Sequence, residues 1–410
     1  MPSPAGLHPG RRVPSWLVLM GLLIAIAPLS IDLYLPAFPA IEAALGPGGG
    51  QAEYTLASFF IGIAFGQLVY GPLSDRFGRK PPLYFGLALY VVASVGCALA
   101  DGLASLAVWR LMQALGGCAG IVIARAVVRD RCQAQEAARA FSMLILVMGL
   151  APILAPVLGG WLNAWLGWRA LFWSLAGFGL ICLALVHFAM TETRDVRQAA
   201  PLTPRRILAD YRALLGTRRF MAHGLTGGLA SAGMFAYIAG SPHVLIELYG
   251  IPAEHFGWVF GLNAVGFVLA SQLNARWLRQ VPLATLLRRA LRLTALTSLA
   301  LLALAIQGAP PLLWLLASLF LFMASLGMVN PNANAAALAH HGHLAGTASA
   351  LLGTLQFGGA ALTGAGLGLW GEGGVAALAS VMATCGLGAW AVQRWGVPHR
   401  PEQAAPTDQP

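Results

Sequence analysis

The chain has 410 residues, of which 58% are hydrophobic and only 10% charged, with a mean hydropathy of +0.71. Soluble domains carry about 25% charged residues, so this composition excludes a water-exposed globule and points to a surface that faces lipid. The net charge of +10 would suggest nucleic acid in a soluble protein, but no nucleic-acid partner is expected once the basic residues are placed along the chain.

The first apolar run, Trp16 to Leu29, follows Arg11 and Arg12 and contains Ala25-Ile26-Ala27, which imitates a secretory cleavage site. Pro28 disfavours the cut, and apolar character resumes from Leu33 to Ile41, so this run is read as a first transmembrane helix. Apolar runs bounded by charge, Gly or Pro predict twelve spans, near residues 15–38, 54–73, 82–100, 103–125, 140–162, 169–190, 220–246, 256–273, 284–306, 311–336, 344–369 and 374–393. Alternate connections hold 22 of the 25 Lys and Arg residues, and the opposite ones hold Arg169 alone. By the positive-inside rule both termini are cytoplasmic.

The polar stretch 191–219 divides the chain into an amino-terminal six-helix bundle (1–190), a cytoplasmic basic linker (191–219) and a carboxyl-terminal six-helix bundle with a short tail (220–410). An offset of 200 residues aligns Phe60, Gly66, Leu73, Arg76 and Arg79 with Phe260, Gly266, Leu273, Arg276 and Arg279. The expected fold is therefore an all-α integral membrane protein, with twelve transmembrane helices in two pseudo-symmetric bundles.

Ionisable groups inside a bilayer cost about 2.5 to 3.5 kcal/mol, so each is a functional hypothesis. Asp32 is expected some 24 Å into the first helix, at about 1.5 Å per residue, with Pro28 and Pro36 breaking the backbone around it. Arg110, in the fourth helix, is expected within about 5 Å of the same depth, so a shared cavity and a joint part in proton coupling are predicted. Arg125 lies near the cytoplasmic end, where it can snorkel.

Gly71-Pro72-Leu73-Ser74-Asp75-Arg76-Phe77-Gly78-Arg79-Lys80 reads as a tight basic turn. Gly71 and Gly78 would permit close backbone approach, while Asp75, Arg76, Arg79 and Lys80 would form a conformational latch. Pro152, Pro156, Gly159 and Gly160 place bends and small residues in the fifth helix. Substrate-cavity candidates are Tyr34, Gln113, Tyr237, Asn330 and Gln356, with the two tyrosine hydroxyls suited to a wet cavity. His340, His341 and His343 are read as a solvated loop, with metal binding or pH sensing as the alternative. Cys97, Cys118, Cys132, Cys182 and Cys385 lack metal-ligand or disulfide spacing, and no HExxH, GxSxG or aspartate pair within the spans suggests an enzyme.

At these residues the chain resembles the major facilitator superfamily: Gly71 to Lys80 its second-to-third loop motif, Arg110 to Gly116 its fourth-helix Arg motif, and Gly149 to Gly160 its fifth-helix antiporter motif. Ser30 to Pro39, Ala151 to Pro156, Gly167-Trp168-Arg169 and Ala345 to Ser349 are similar to the Bcr/CflA family, which exports bicyclomycin, chloramphenicol-type and related drugs. The resemblance implies a proton-coupled multidrug antiporter of the bacterial inner membrane, with proton coupling on Asp32 supported by Arg110. It further implies small amphipathic substrates, no cofactor beyond the proton gradient, and a monomer. A metabolite exporter or a proton symporter of the same fold is the alternative. Ala155 stands where the general antiporter motif has Gly, and Asn274 to Thr285 keeps only a trace of the basic loop motif.

Overall fold

The computed structural model describes residues 14–46, 52–132, 134–194, 204–339, 344–370 and 374–396. His340, His341 and His343 lie outside the described residues. Twelve helices among the described residues are long and apolar enough to cross a membrane.

The amino-terminal half comprises α1 (Ser15–Asp32), α2 (Phe38–Leu45), α3 (Ala52–Phe77), α4 (Lys80–Ala98), α5 (Leu103–Arg131), α6 (Ala134–Leu166) and α7 (Trp168–Ala189). The first span is broken where its prolines predict. α1 ends at Asp32, a 3-10 turn covers Leu35–Ala37, and α2 resumes the same crossing. Pro36 and Pro39 supply no backbone N–H, which fits them to helix starts rather than interiors. α6, by contrast, stays one helix through Pro152 and Pro156.

α8 (Pro204–Gly216) lies inside the stretch read as a plain linker. It buries Leu214 against Phe220, Ala337, Leu351 and Leu352, while Leu208 and Leu215 remain exposed. The second half continues with α9 (Arg218–Pro242), α10 (Ala253–Trp277), α11 (Leu283–Ile306), α12 (Leu312–Leu338), α13 (Ala345–Trp370) and α14 (Gly374–Gly396). Pro242 closes α9, and the chain widens into a π-helical turn over His243–Leu248 before α10.

The repeat seen in the sequence has a structural counterpart. A Cβ on Gly66 would meet Cys118 of α5 at 2.7 Å, and one on Gly266 would meet Phe320 of α12 at 2.6 Å. Each repeated glycine thus seats the second span of its half against the fourth span of the same half.

The halves meet along two helix pairs, α3 with α13 and α6 with α10. Small residues permit both contacts. On the first pair, Cβ atoms added at Gly368, Gly364 and Gly353 would fall 2.8, 3.3 and 2.1 Å from Tyr54, Ala57 and Gln67. On the second, a Cβ at Gly257 would lie 2.5 Å from Val157 N, whereas one at Gly261 finds Ile153 only at 3.6 Å. α6 and α10 therefore press backbone to backbone at the end opposite the basic loops, while toward those loops they meet through side chains, a Cβ at Gly149 standing 3.2 Å from Val268. The turn Leu35–Ala37 packs on α9 and α10, and α2 on the π-turn, which closes the same end.

Candidate functional site

Asp32 is 3% exposed at the carboxyl end of α1. Among the described residues it makes no hydrogen bond or ion pair. The Tyr237 hydroxyl, which comes from the other half, is in electrostatic reach of its carboxylate. Tyr237 is fully buried, accepts a hydrogen bond from Asn263 Nδ2 at 3.0 Å, and stacks on Phe260 with ring centroids 5.5 Å apart. Asp32 thus sits where the α1 backbone breaks, just before the 3-10 turn that packs on α9 and α10 of the other half.

Arg110 does not share that position. It is fully buried inside the amino-terminal half, with its guanidinium carbon 4.2 Å from the Phe59 ring centroid and 4.6 Å from that of Tyr34. Nη1 donates to Gln113 Oε1 at 2.6 Å, and Gln113 Nε2 donates to Ser94 Oγ at 2.8 Å. Nε and Nη2 have no partner among the described residues. Equal depth along two helices does not fix direction around them, and Arg110 turns toward Tyr34, Cys97 and Tyr90 rather than Asp32. The shared pocket expected for the two charges is therefore not formed in this conformation. Gln113, expected in a cavity, has both ends of its amide engaged within the half.

Tyr34 is likewise inside the amino-terminal half, bonded through its hydroxyl to Thr55 and packed against Phe38 and Phe172. Asn330 accepts from Ser231 at 3.4 Å, and Gln356 donates to Asn334 at 3.1 Å, both half-buried in the carboxyl-terminal half. Phe60 bridges the halves, its ring centroid 4.6 Å from Phe235 and 6.3 Å from Phe357.

The segment 71–80 is less of a turn than expected, because α3 runs through Phe77 and leaves only Gly78 and Arg79 between helices. Gly78 adopts φ +88°, which favours glycine. Gly71 has open space where a Cβ would stand, so close approach does not require it. Arg79, with a side chain only 4% exposed, donates to Asp130 from Nε at 2.8 Å and Nη2 at 3.1 Å. Its Nη1 donates to Asp75 at 2.8 Å and to Ser74 at 2.9 Å. Lys80 Nζ donates to Met190 O at 2.9 Å, while Arg76 takes no part.

Glu192 completes this cluster by accepting backbone N–H bonds from Arg79 and Lys80 at 2.9 and 3.0 Å, as well as from Thr193 and Arg194. Partial burial raises its proton affinity, but the four N–H donors outweigh it and hold the carboxyl below its ordinary range. All these partners lie in the amino-terminal half or in the first residues that follow α7. Sequence reasoning missed Asp130 and Glu192, whose signal was an acid at the basic end of the fourth span and just past the sixth.

Pro156, Gly159 and Gly160 face the backbone of neighbouring elements. A Cβ on Gly159 would stand 2.0 Å from Leu33 O, beside Asp32, and one on Gly160 would stand 2.9 Å from Ala253 O across the junction. Pro156 is buried beside Gly257, and Pro152 is half-buried.

A family model described as Major Facilitator Superfamily matches residues 20–364. The chain belongs to the Major Facilitator Superfamily. It is 32% identical over 339 residues to the "Uncharacterized MFS-type transporter YdgK" of Bacillus subtilis, covering 82% of this chain and 84% of that one. It is 30% identical over 350 residues to the "Bicyclomycin resistance protein homolog" of Haemophilus influenzae, covering 85% and 87%. It is also 30% identical over 242 residues to the "Multidrug resistance protein MdtL" of Escherichia fergusonii, covering 59% and 61%. Among solved structures, a bacterial homolog of the human lysosomal transporter Spinster, in an inward-facing and unoccupied conformation, superposes with a TM-score of 0.68 at 14% identity. It covers 93% of this chain and 94% of its own, and that likeness shows the fold. The chain is thus a multi-pass membrane protein of a transporter family, and the resemblance read from its motifs is borne out.

Proposed function

We propose that this protein is a proton-coupled exporter of small amphipathic drug-like compounds in the bacterial inner membrane, with its termini and basic loops in the cytoplasm. The relatives named for bicyclomycin and multidrug resistance support the substrate class. The observation that carries proton coupling is Asp32, a buried carboxylate without an ion-pair partner among the described residues, beside a break in its own helix where the chain reaches the junction of the halves.

A buried, unpaired carboxylate is stable when protonated and unstable when charged. Exposed to the outside, Asp32 takes up a proton as substrate leaves, and the halves can close over a neutral side chain. Exposed to the cytoplasm, it gives up the proton as substrate enters. A membrane potential of 100 mV adds about 2.3 kcal/mol for each charge moved.

Arg110 contributes by position. Its guanidinium holds the rings of Tyr34 and Phe59 in place around the turn that follows Asp32. Tyr237, Asn330 and Gln356 present amide and hydroxyl groups from the other half, and Phe60, Phe235 and Phe357 supply an aromatic floor. The Arg79 cluster braces the basic end of the amino-terminal half as one rigid unit. Gly159 and Gly160 let α6 touch both α1 and α10.

The test is internal pH in proteoliposomes under a proton gradient, on adding chloramphenicol-like or cationic lipophilic compounds, for the native chain and Asp32→Asn. Substrate-dependent proton flux that disappears in Asp32→Asn is expected. No flux with any of these compounds would redirect the search to metabolites, and flux that survives the substitution would remove Asp32 from the mechanism.

A further inference from the structure

One stripe of α9 is covered by α14 of its own half. Cβ atoms added at Gly396 and Gly388 of α14 would meet Ala222 and Leu229 of α9 at 2.9 and 3.4 Å. Gly227 and Gly228 lie on the two flanks of the opposite side, where added Cβ atoms would meet Ala333 of α12 at 3.3 Å and Leu355 of α13 at 3.4 Å. At about 3.6 residues per turn, Ser231 and Phe235 fall between those flanks and away from α14. That side is turned toward the amino-terminal half, because the Phe235 ring centroid lies 4.6 Å from that of Phe60 and 5.3 Å from that of Phe357.

Three amides stand on the same side. Asn330 and Asn334 are one turn apart on α12, Gln356 precedes Phe357 on α13, and all three are half-buried. Ser231 Oγ donates to Asn330 Oδ1 at 3.4 Å, and Gln356 Nε2 donates to Asn334 Oδ1 at 3.1 Å. Among the described residues this leaves both asparagine Nδ2 groups and Gln356 Oε1 without partners. The wall therefore offers two donors, about 6 Å apart along α12, and one acceptor. The sequences of α9, α12 and α13 contain no Asp or Glu.

A carbonyl, nitro or hydroxyl oxygen can replace water on each donor with little loss, while a ring beside it stacks on the Phe60, Phe235 and Phe357 cluster. A cation in the same space gives up its water, meets the positive ends of two N–H dipoles and finds no carboxylate on this wall, so its desolvation goes uncompensated. We infer that Asn330, Asn334 and Gln356 form a subsite that selects uncharged aromatic substrates carrying several oxygen acceptors and discriminates against organic cations. Asn334 sets this choice, since it stands one turn from Asn330 and is bonded to Gln356. The selectivity rests on the exporter reading above and narrows its substrates to one charge class.

The test is equilibrium binding to the full chain in detergent, without a gradient, using radiolabelled chloramphenicol as the neutral acceptor-rich probe and tetraphenylphosphonium as an aromatic cation without acceptors. The native chain is expected to bind chloramphenicol at least about tenfold more tightly than the cation. Asn330→Leu and Asn334→Leu, each alone, are expected to weaken chloramphenicol binding by about 2- to 12-fold, the loss of one neutral hydrogen bond; either variant suffices if the other misfolds. Asn334→Asp adds the missing carboxylate, and at about pH 8, well above the carboxylate range, it is expected to raise affinity for tetraphenylphosphonium at least about tenfold. Equal or tighter binding of the cation by the native chain would overturn the selectivity, and chloramphenicol binding unchanged in both leucine variants would overturn the subsite. Failure of the native chain to bind either probe would overturn the subsite and the drug reading together, whereas binding that follows the expected pattern with no proton flux in vesicles would count only against the exporter reading.

Discussion

Gly257→Ala is the most direct probe of how the halves close. The added Cβ would lie 2.5 Å from Val157 N and 2.7 Å from its Cα, both backbone atoms of the opposite half. Ordinary contact begins at 3.4 Å, so α10 must retreat from α6 by about 0.9 Å, since neither helix backbone can turn aside as a side chain could. Overpacking of this kind costs about 1 to 3 kcal/mol, roughly a 5- to 150-fold change in an equilibrium ratio. The cost falls on the arrangement in which this end is closed, because in the opposite arrangement the two helices part here. Spin labels at Ala104→Cys and Ala309→Cys, exposed positions on opposite halves, should therefore show by pulsed dipolar spectroscopy the closed population reduced by that factor, and substrate-driven proton flux in vesicles should slow with it. Gly177→Ala, at a glycine with open space around it, should leave both readouts unchanged. A native distribution in Gly257→Ala would refute the argument that backbone contact at this point sets the conformational balance.

Other substitutions test the remaining charges. Among the described residues Arg110 makes no ion pair and leaves two donors unsatisfied, so an apolar replacement removes a buried charge whose desolvation costs on the order of several kcal/mol. Arg110→Met is accordingly expected to keep or raise the thermal midpoint in detergent while transport falls at least about tenfold; a lowered midpoint with transport intact would make the arginine a packing residue only. Arg79→Lys keeps the charge but loses the fork that bonds Asp130 twice, and proteolysis or hydrogen exchange at the α3–α4 connection should increase. For Glu192 the folded carboxyl lies below its ordinary value, so its stabilisation is present above the unfolded value near about 4.3 and is lost as pH falls through the depressed folded value. The midpoint difference between the native chain and Glu192→Gln should therefore be constant at neutral pH and shrink in acid; a difference that grows on acidification would reverse the sign of the argument.

Much of the architecture is legible in the amino-acid order because lipid exposure is decided residue by residue. Apolar length gives each span, Lys and Arg mark alternate connections, and Pro28 and Pro36 announce the break at Asp32. The repeat also survives in single residues, as Gly66 and Gly266 show by holding equivalent helices together. Even the extension of α3 through Phe77 departs from the sequence reading by only one turn, since a charged helix end in water looks like a loop.

Facing is where the sequence stops. A helix that is apolar all round carries no period to separate the side toward lipid from the side toward protein, so depth alone put Arg110 and Asp32 together. In the folded chain Arg110 turns inward to Phe59, Tyr34 and Gln113, while Asp32 stands at the end of α1 beside the turn that packs on the other half. What the sequence by itself determined is how many times the chain crosses the membrane and where its charges and breaks lie, which are local matters of transfer free energy. Which buried charge meets which partner was decided by helix rotation and by backbone approach at glycines, and those are properties of packed pairs.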